Sequence, residues 1–185
     1  MTQLANPASI LGADYFELFN LPRAFAIDLE RLDRDYHALQ HRFHPDRFSG
    51  AGEFDRRRAL EISTHINSGY LTLRHSLSRA RYLLALVAAA VSAENRTPMP
   101  PAFLMRQMEL RESMEASRGN VAALHRIKEQ LRQESLTYER NLARLLDDTR
   151  DFEGAAECVR MLGFYDSLRR DADRMIEAAE EIHAV

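Results

Sequence analysis

A single cysteine, Cys158, stands in a chain of 185 residues. One thiol closes no intrachain disulfide and supplies no thiolate cluster for zinc or iron-sulfur. Its apolar, strongly helical surroundings predict a buried or half-buried packing residue rather than a nucleophile. Long apolar runs are also missing. The most apolar stretch, Tyr82 to Val91, is about half of what a membrane-spanning helix needs. The start of the chain has no basic opening, long apolar stretch and small-residue cleavage site, so no secretory signal is read there. A soluble protein of a reducing compartment, most simply the cytoplasm, is expected. His-Glu-x-x-His, paired cysteines and a glycine-rich phosphate loop are absent too. Neither a metal, a cofactor nor an enzymatic activity is therefore predicted.

What is present reads as helix. Hydrophobic residues make up 45% and charged residues 29%, enough apolar material for one ordinary domain or two small ones. A formal charge of -3, from 25 basic and 28 acidic residues, argues against a general polyanion binder. Asp14 to Phe19 has the spacing of a short helix, closed by Asn20-Leu21-Pro22. From Asp28 to Phe43 the residues Leu29, Leu32, Tyr36, Leu39 and Phe43 fall three or four apart, an apolar stripe on one face. Pro45 ends that helix, and Ser49-Gly50-Ala51-Gly52 extends the break. The next helix starts near Glu53 and carries Phe54, Leu60, Ile62, Ile66, Tyr70 and Leu73. Another follows from about Ser78 through Ala90.

Ser92 to Pro101, with Pro98, Pro100 and Pro101, is the clearest boundary in the sequence. Beyond it three helices are predicted: Ala102 to Ser117, Val121 to Leu146 and Phe152 to Ile182. Gly119-Asn120 and Asp147-Asp148 separate them, and Gly163 is expected to bend or end the last. Few glycines and few β-branched residues lie between the breaks, so propensity and periodicity agree. Three long helices joined by short turns favour an antiparallel bundle. The fold class is all-α.

The chemistry concentrates at His44-Pro45-Asp46, where one amphipathic helix stops and a loop begins. Proline fixes the backbone and leaves His44 and Asp46 displayed on a stiff turn. Stiff displayed groups suit recognition, because little conformational freedom is lost on binding. Arg34, His37, His41 and Arg31 can share the polar face opposite the apolar stripe, and Arg42 and Arg47 flank the turn. His37 and His41 lie one helical turn apart, but a closed metal site needs more ligands than they supply.

The tripeptide, the basic helix before it and the long helix after it resemble a J-domain, over Asp14 to about Leu86. The resemblance implies that His44, Pro45, Asp46, Arg34, His41, Arg42 and Arg47 engage an Hsp70 and stimulate its ATPase. In that reading Asp46 makes charged contacts, His44 presents hydrogen-bonding atoms and Pro45 holds the loop. The arginines would steer approach to an acidic surface.

In the second half, Phe103-Leu104-Met105 followed by Glu109-Leu110-Arg111-Glu112 adds a second likeness. Phe103, Gln107, Leu110 and Met114 can form one buried seam, leaving Leu104, Met105, Met108, Glu109 and Glu112 to its side. Taken with Asp14-Tyr15-Phe16-Glu17-Leu18-Phe19 and Leu73-Arg74-His75-Ser76-Leu77-Ser78-Arg79-Ala80, nearly the whole chain resembles the iron-sulfur co-chaperone family of HscB. The resemblance implies a J-domain over 12–90, a connecting segment over 91–101 and a C-terminal three-helix bundle over 102–183. It further implies an HscA-like specialised Hsp70 and an IscU-like iron-sulfur scaffold protein as partners. Leu104, Met105, Met108, Glu109, Arg111, Glu112 and Phe164 would form the scaffold-binding surface. On periodicity alone, bundle core is the favoured reading for Leu104 and Phe164.

Four residues depart from the usual family pattern. Gly69 stands where a small helix former is expected, weakening the helix locally. Ser76 replaces a proline, Met108 a leucine, and Arg106 a glutamate, which would change the charge of the client face. Rival readings are a J-domain protein for another client, a nucleic-acid binder built on Arg56-Arg57-Arg58, and an enzyme. The acidic balance disfavours the second, and no converged catalytic set supports the third.

Overall fold

The computed structural model describes residues 7–48, 50, 52–87 and 98–183. Eight α-helices run through them: α1 (Pro7–Gly12), α2 (Tyr15–Leu18), α3 (Leu29–Phe43), α4 (Glu53–Arg74), α5 (Ser76–Leu86), α6 (Pro101–Ala116), α7 (Val121–Ala143) and α8 (Phe152–His183). No strand occurs among the described residues, and the fold is all-α as expected. The chain divides into two compact units, residues 1–85 and 86–185. Most of the expected connection over 91–101 lies outside the described residues.

In the first unit, Asp28 caps α3 by accepting a hydrogen bond from the Arg31 amide. The helix stops at Phe43 because Pro45 pushes His44 into an extended conformation (φ -61°, ψ 130°). Leu32 and Phe43 of α3 and Ala59, Ile62, Ile66 and Leu73 of α4 are buried. Leu77, Ala80 and Leu83 of α5 are buried too, as are Phe16, Leu18 and Phe19 in and beside α2. A capping box between Asp14 and Glu17 starts the four-residue α2. The unit also uses α1, which the sequence pattern did not signal, and buries Ile10 completely.

The expected stripe on α4 is only partly core. Ile62, Ile66 and Leu73 are buried, whereas Phe54 and Leu60 are exposed. Phe54 stands in the first turn, ahead of the first buried residue, and Leu60 lies about half a turn away from Ile62. The α3–α4 contact also has a polar seam. Tyr36 and Tyr70 stack at 4.0 Å, and Tyr36 donates to Asn67 Oδ1 at 3.0 Å. Gly69 belongs to this core rather than being a weak point alone. A Cβ there would come within 2.9 Å of the Tyr15 ring and 3.1 Å of the Phe19 ring. Its missing side chain lets Tyr15 and Phe19 approach α4. Ahead of the expected start near Ser78, α5 begins at Ser76 directly after an extended His75.

In the second unit Pro101 occupies the first turn of α6, where its missing N–H is harmless. Gly119 supplies the positive φ (79°) that turns the chain, and Asn120 caps α7 through the Ala123 amide. The predicted helix to Leu146 divides into α7 and a π-helical turn, Arg144–Asp148, that buries Leu145 and Leu146. Gly163 does not end α8, which continues to His183. Buried Leu162 and Tyr165 pin the helix on either side of it, which offsets the roughly 1 kcal/mol that glycine costs in a helix. Phe103, Leu110, Met114, Leu131, Tyr165, Leu168 and Ala172 form one cluster. Cys158 is buried, donates to the Tyr138 carbonyl at 3.4 Å, and has its thiol pushed up to about 11 by burial.

Candidate functional site

At the end of α3, residues Pro45–Phe48 form a 3-10 turn. Its geometry is held by local bonds. The Asp46 amide donates to His44 Nδ1 at 3.3 Å, and the Arg47 amide donates to the His44 carbonyl at 3.0 Å. The Arg47 guanidinium reaches back to the His41 carbonyl at 3.2 Å, tying the turn to the last turn of α3. With Nδ1 accepting, a neutral His44 carries its proton on Nε2. The Asp46 side chain is 90% exposed and sits 3.5 Å from His44 Nδ1. An imidazole and a carboxylate are thus presented side by side on a backbone that is already ordered.

Arg34, His41, Arg42 and Arg47 are all exposed. The face they share is less basic than its arginines alone suggest. Arg34 lies 3.9 Å from Glu30, and Arg31 lies 3.7 Å from Asp35. Arg42 covers the Phe43 ring at 5.0 Å. Pairs this exposed are screened and weak, so the guanidinium groups remain available to a stronger partner.

On α6 the buried residues are Phe103, Leu110 and Met114, and Gln107 is half-buried. Leu104 is 46%, Met105 65% and Met108 63% exposed. Helical spacing places these three side chains on one face with the exposed Glu109, Arg111 and Glu112. Leu104 is therefore not bundle core. Phe164 of α8 is half-buried, edge-on to Phe103 at 5.7 Å and covered by Arg111 at 5.5 Å. It packs on the core and borders the α6 face at once.

Arg106 sits on the flank of that face and points inward. It bonds Glu134 of α7 through two nitrogens, at 2.5 and 3.3 Å, and Glu109 through a third at 2.8 Å. Tyr165 donates to the same Glu134 carboxylate at 2.9 Å, and Gln130 donates to it at 3.1 Å. Burial raises the Glu134 carboxyl, but these donors outweigh it and hold it below the ordinary carboxylate range. The hydrogen bonds from Arg106 to Glu134 and Glu109 raise the guanidinium in turn. The charge of Arg106 is thus shared between Glu134 within the bundle and Glu109 on the exposed α6 face. Among the described residues, no three His, Cys, Asp or Glu side chains converge where they could hold a metal ion.

Residues 99–173 match the family described as "HSCB C-terminal oligomerisation domain". A curated relative from Azoarcus sp. (strain BH72), "Co-chaperone protein HscB homolog", is 42% identical over 172 residues, covering 92% of this chain and 97% of its own. The chain belongs to the HscB co-chaperone family. A second relative of the same description, from Burkholderia multivorans, is 45% identical over the same shares of this chain and 98% of its own. The fold agrees with "Chaperone HscB from Vibrio cholerae" at a TM-score of 0.77 and 36% identity, over 90% of this chain and 99% of that one. Human co-chaperone HscB aligns at a TM-score of 0.78 and 27% identity, over 87% and 81%.

The residues that support these two exposed surfaces were not singled out by the sequence. Glu134 and Tyr165 sit 28 and 59 positions from Arg106, and no periodicity links them.

Proposed function

We propose that this HscB-family co-chaperone stimulates the ATPase of a specialised, HscA-like Hsp70 and delivers an IscU-like iron-sulfur scaffold protein to it. The reading rests on one observation above the others. His44 and Asp46 are exposed on a turn whose backbone is already fixed by hydrogen bonds to its own neighbours. Such a turn binds with little ordering cost. The exposed arginines around it favour encounter with an acidic surface on the Hsp70. The protein acts in the cytoplasm through its partner's ATP hydrolysis, with no metal, cofactor or reaction of its own. No nucleic acid or membrane takes part, and among the described residues no helix is long and apolar enough to cross a membrane.

The scaffold docks on the α6 face, where Leu104, Met105 and Met108 supply apolar contact and Glu109, Arg111, Glu112 and Phe164 border it. Methionine suits this role because its unbranched chain adapts to an imperfect fit. Residues 12–90 serve the Hsp70 and residues 102–183 serve the client, joined through 91–101. Asp46→Asn removes the charge without changing the shape of the turn. It is expected to abolish stimulation of Hsp70 ATP hydrolysis while leaving scaffold binding intact. Normal stimulation by that variant would refute the assignment. Leu104→Ala, Met105→Ala and Met108→Ala together are expected to weaken scaffold binding by about tenfold or more without changing the circular dichroism. Unchanged binding would shift the client to a different protein or the surface to a different face.

A further inference from the structure

The α6 face carries two carboxylates, Glu109 and Glu112, and the structure treats them differently. Glu109 accepts a hydrogen bond from Arg106 at 2.8 Å, and Arg106 is itself anchored to Glu134 of α7. Glu112 has no ion-pair or hydrogen-bond partner among the described residues. Arg111, on the opposite flank, lies over the Phe164 ring of α8. Two arginines therefore frame the exposed Leu104, Met105 and Met108, one tied toward α7 and one toward α8.

We propose that Arg106 is a specificity-determining residue of this face: it pairs with and fixes Glu109, so that Glu112 is the carboxylate that reads a cationic group on the scaffold protein. The inference rests on the reading of α6 as the client surface. The physical reason is that Arg106 is preorganised. A guanidinium held by a half-buried carboxylate loses little freedom in also holding Glu109, whereas a partner's lysine must displace it. A free carboxylate such as Glu112 faces no such competition. With a glutamate at 106, the same face would carry three acidic groups in place of one free one, and would select a more basic partner.

The test is a set of titrations of the scaffold protein into the full-length chain by calorimetry, at two salt concentrations. Glu112→Gln is expected to weaken binding by about fivefold or more, and Glu109→Gln by less than about twofold. In Arg106→Gln, Glu109 is released, so adding Glu109→Gln now costs at least as much as Glu112→Gln does. Arg106→Gln also steepens the salt dependence of binding, while Arg106→Lys, which keeps the charge but not the three-nitrogen grip, steepens it less. A purely structural role for Arg106 would leave that slope unmoved. Thermal melting of each variant separates loss of fold from loss of contact, and Glu109→Gln and Glu112→Gln leave the Glu134 anchor intact. A tenfold loss from Glu109→Gln in the otherwise unaltered chain overturns the inference. If the triple alanine variant of Leu104, Met105 and Met108 binds normally, the surface assignment itself fails, and the inference with it.

Discussion

Gly69→Ala sets two effects of known size against each other. Alanine at an interior helix position is favoured over glycine by about 0.8–1.0 kcal/mol. Against that, the new Cβ would lie 2.9 Å from Tyr15 Cδ1, 3.2 Å from Tyr15 Cγ and 3.1 Å from Phe19 Cε2. Carbon atoms pack best at about 3.5–4.0 Å, so the rings must retreat by roughly half an ångström or more. Neither ring is free to do so. Tyr15 stacks on Tyr82 at 4.7 Å, leans on His65 at 5.3 Å, and has its amide bonded to the Tyr82 hydroxyl at 3.1 Å. Phe19 is 1% exposed.

Overpacking of this kind costs about 1–3 kcal/mol. It outweighs the helix gain, and Gly69→Ala is expected to destabilise the protein by about 1 kcal/mol. Urea unfolding followed by circular dichroism reads this as a lower midpoint with an unchanged slope. Thr64→Ala, at an exposed position of the same helix, isolates the propensity effect and is expected to be neutral or slightly stabilising. If Gly69→Ala instead raises stability by the full helix gain, the rings yield freely and the packing argument is wrong.

Glu134→Gln tests the buried network through pH. The native Glu134 carboxyl lies below its unfolded value of about 4.3. Its stabilisation is therefore complete above that pH and is lost as the pH falls through the native value. The stability advantage of the parent over Glu134→Gln is expected to shrink as unfolding is measured from pH 7 down to pH 3. A constant difference would show that the charge is not what the network uses. Cys158, with its thiol pushed up to about 11, holds about two orders of magnitude less thiolate at pH 8 than an ordinary cysteine. Labelling by a disulfide reagent should be correspondingly slow in the native protein and rapid in denaturant; fast native labelling would mean that the α7–α8 contact opens readily.

The sequence made local order visible and left cross-helix contact hidden. Pro45, Pro101, Gly119 and Asn120 each act on the residues beside them, so the helix ends they set are predictable from composition. His44-Pro45-Asp46 is legible for the same reason: its hydrogen bonds reach no farther than neighbouring positions. Gly163 misled because a helix's fate at a glycine depends on what its neighbours bury, and here Leu162 and Tyr165 hold the line. Gly69 and Arg106 show the same limit. A glycine's empty space and an arginine's partner are supplied by Tyr15 and Glu134, residues far off in the chain. Leu60 was assigned to the stripe of α4 by counting, yet the partner helix decides which side of that stripe is covered.

The apolar face on α6 sets an upper bound on how tightly a client can be held by that contact. Burying a Leu or Met side chain fully yields about 1.5–3 kcal/mol. Scaled by the exposures of 46%, 65% and 63%, covering Leu104, Met105 and Met108 yields roughly 3–5 kcal/mol. Association itself costs at least about 4 kcal/mol in lost translational and rotational freedom. The three side chains alone therefore do little more than meet that cost. Net affinity must come from Glu112, Arg111 and Phe164 around them, at about 1 kcal/mol for each exposed polar contact. That leaves a net of roughly 2–4 kcal/mol, so this face alone is expected to hold the proposed scaffold client with a dissociation constant in the millimolar range. Calorimetry on the unaltered pair checks this directly: a micromolar or tighter constant would mean that the client touches a surface well beyond these side chains of α6.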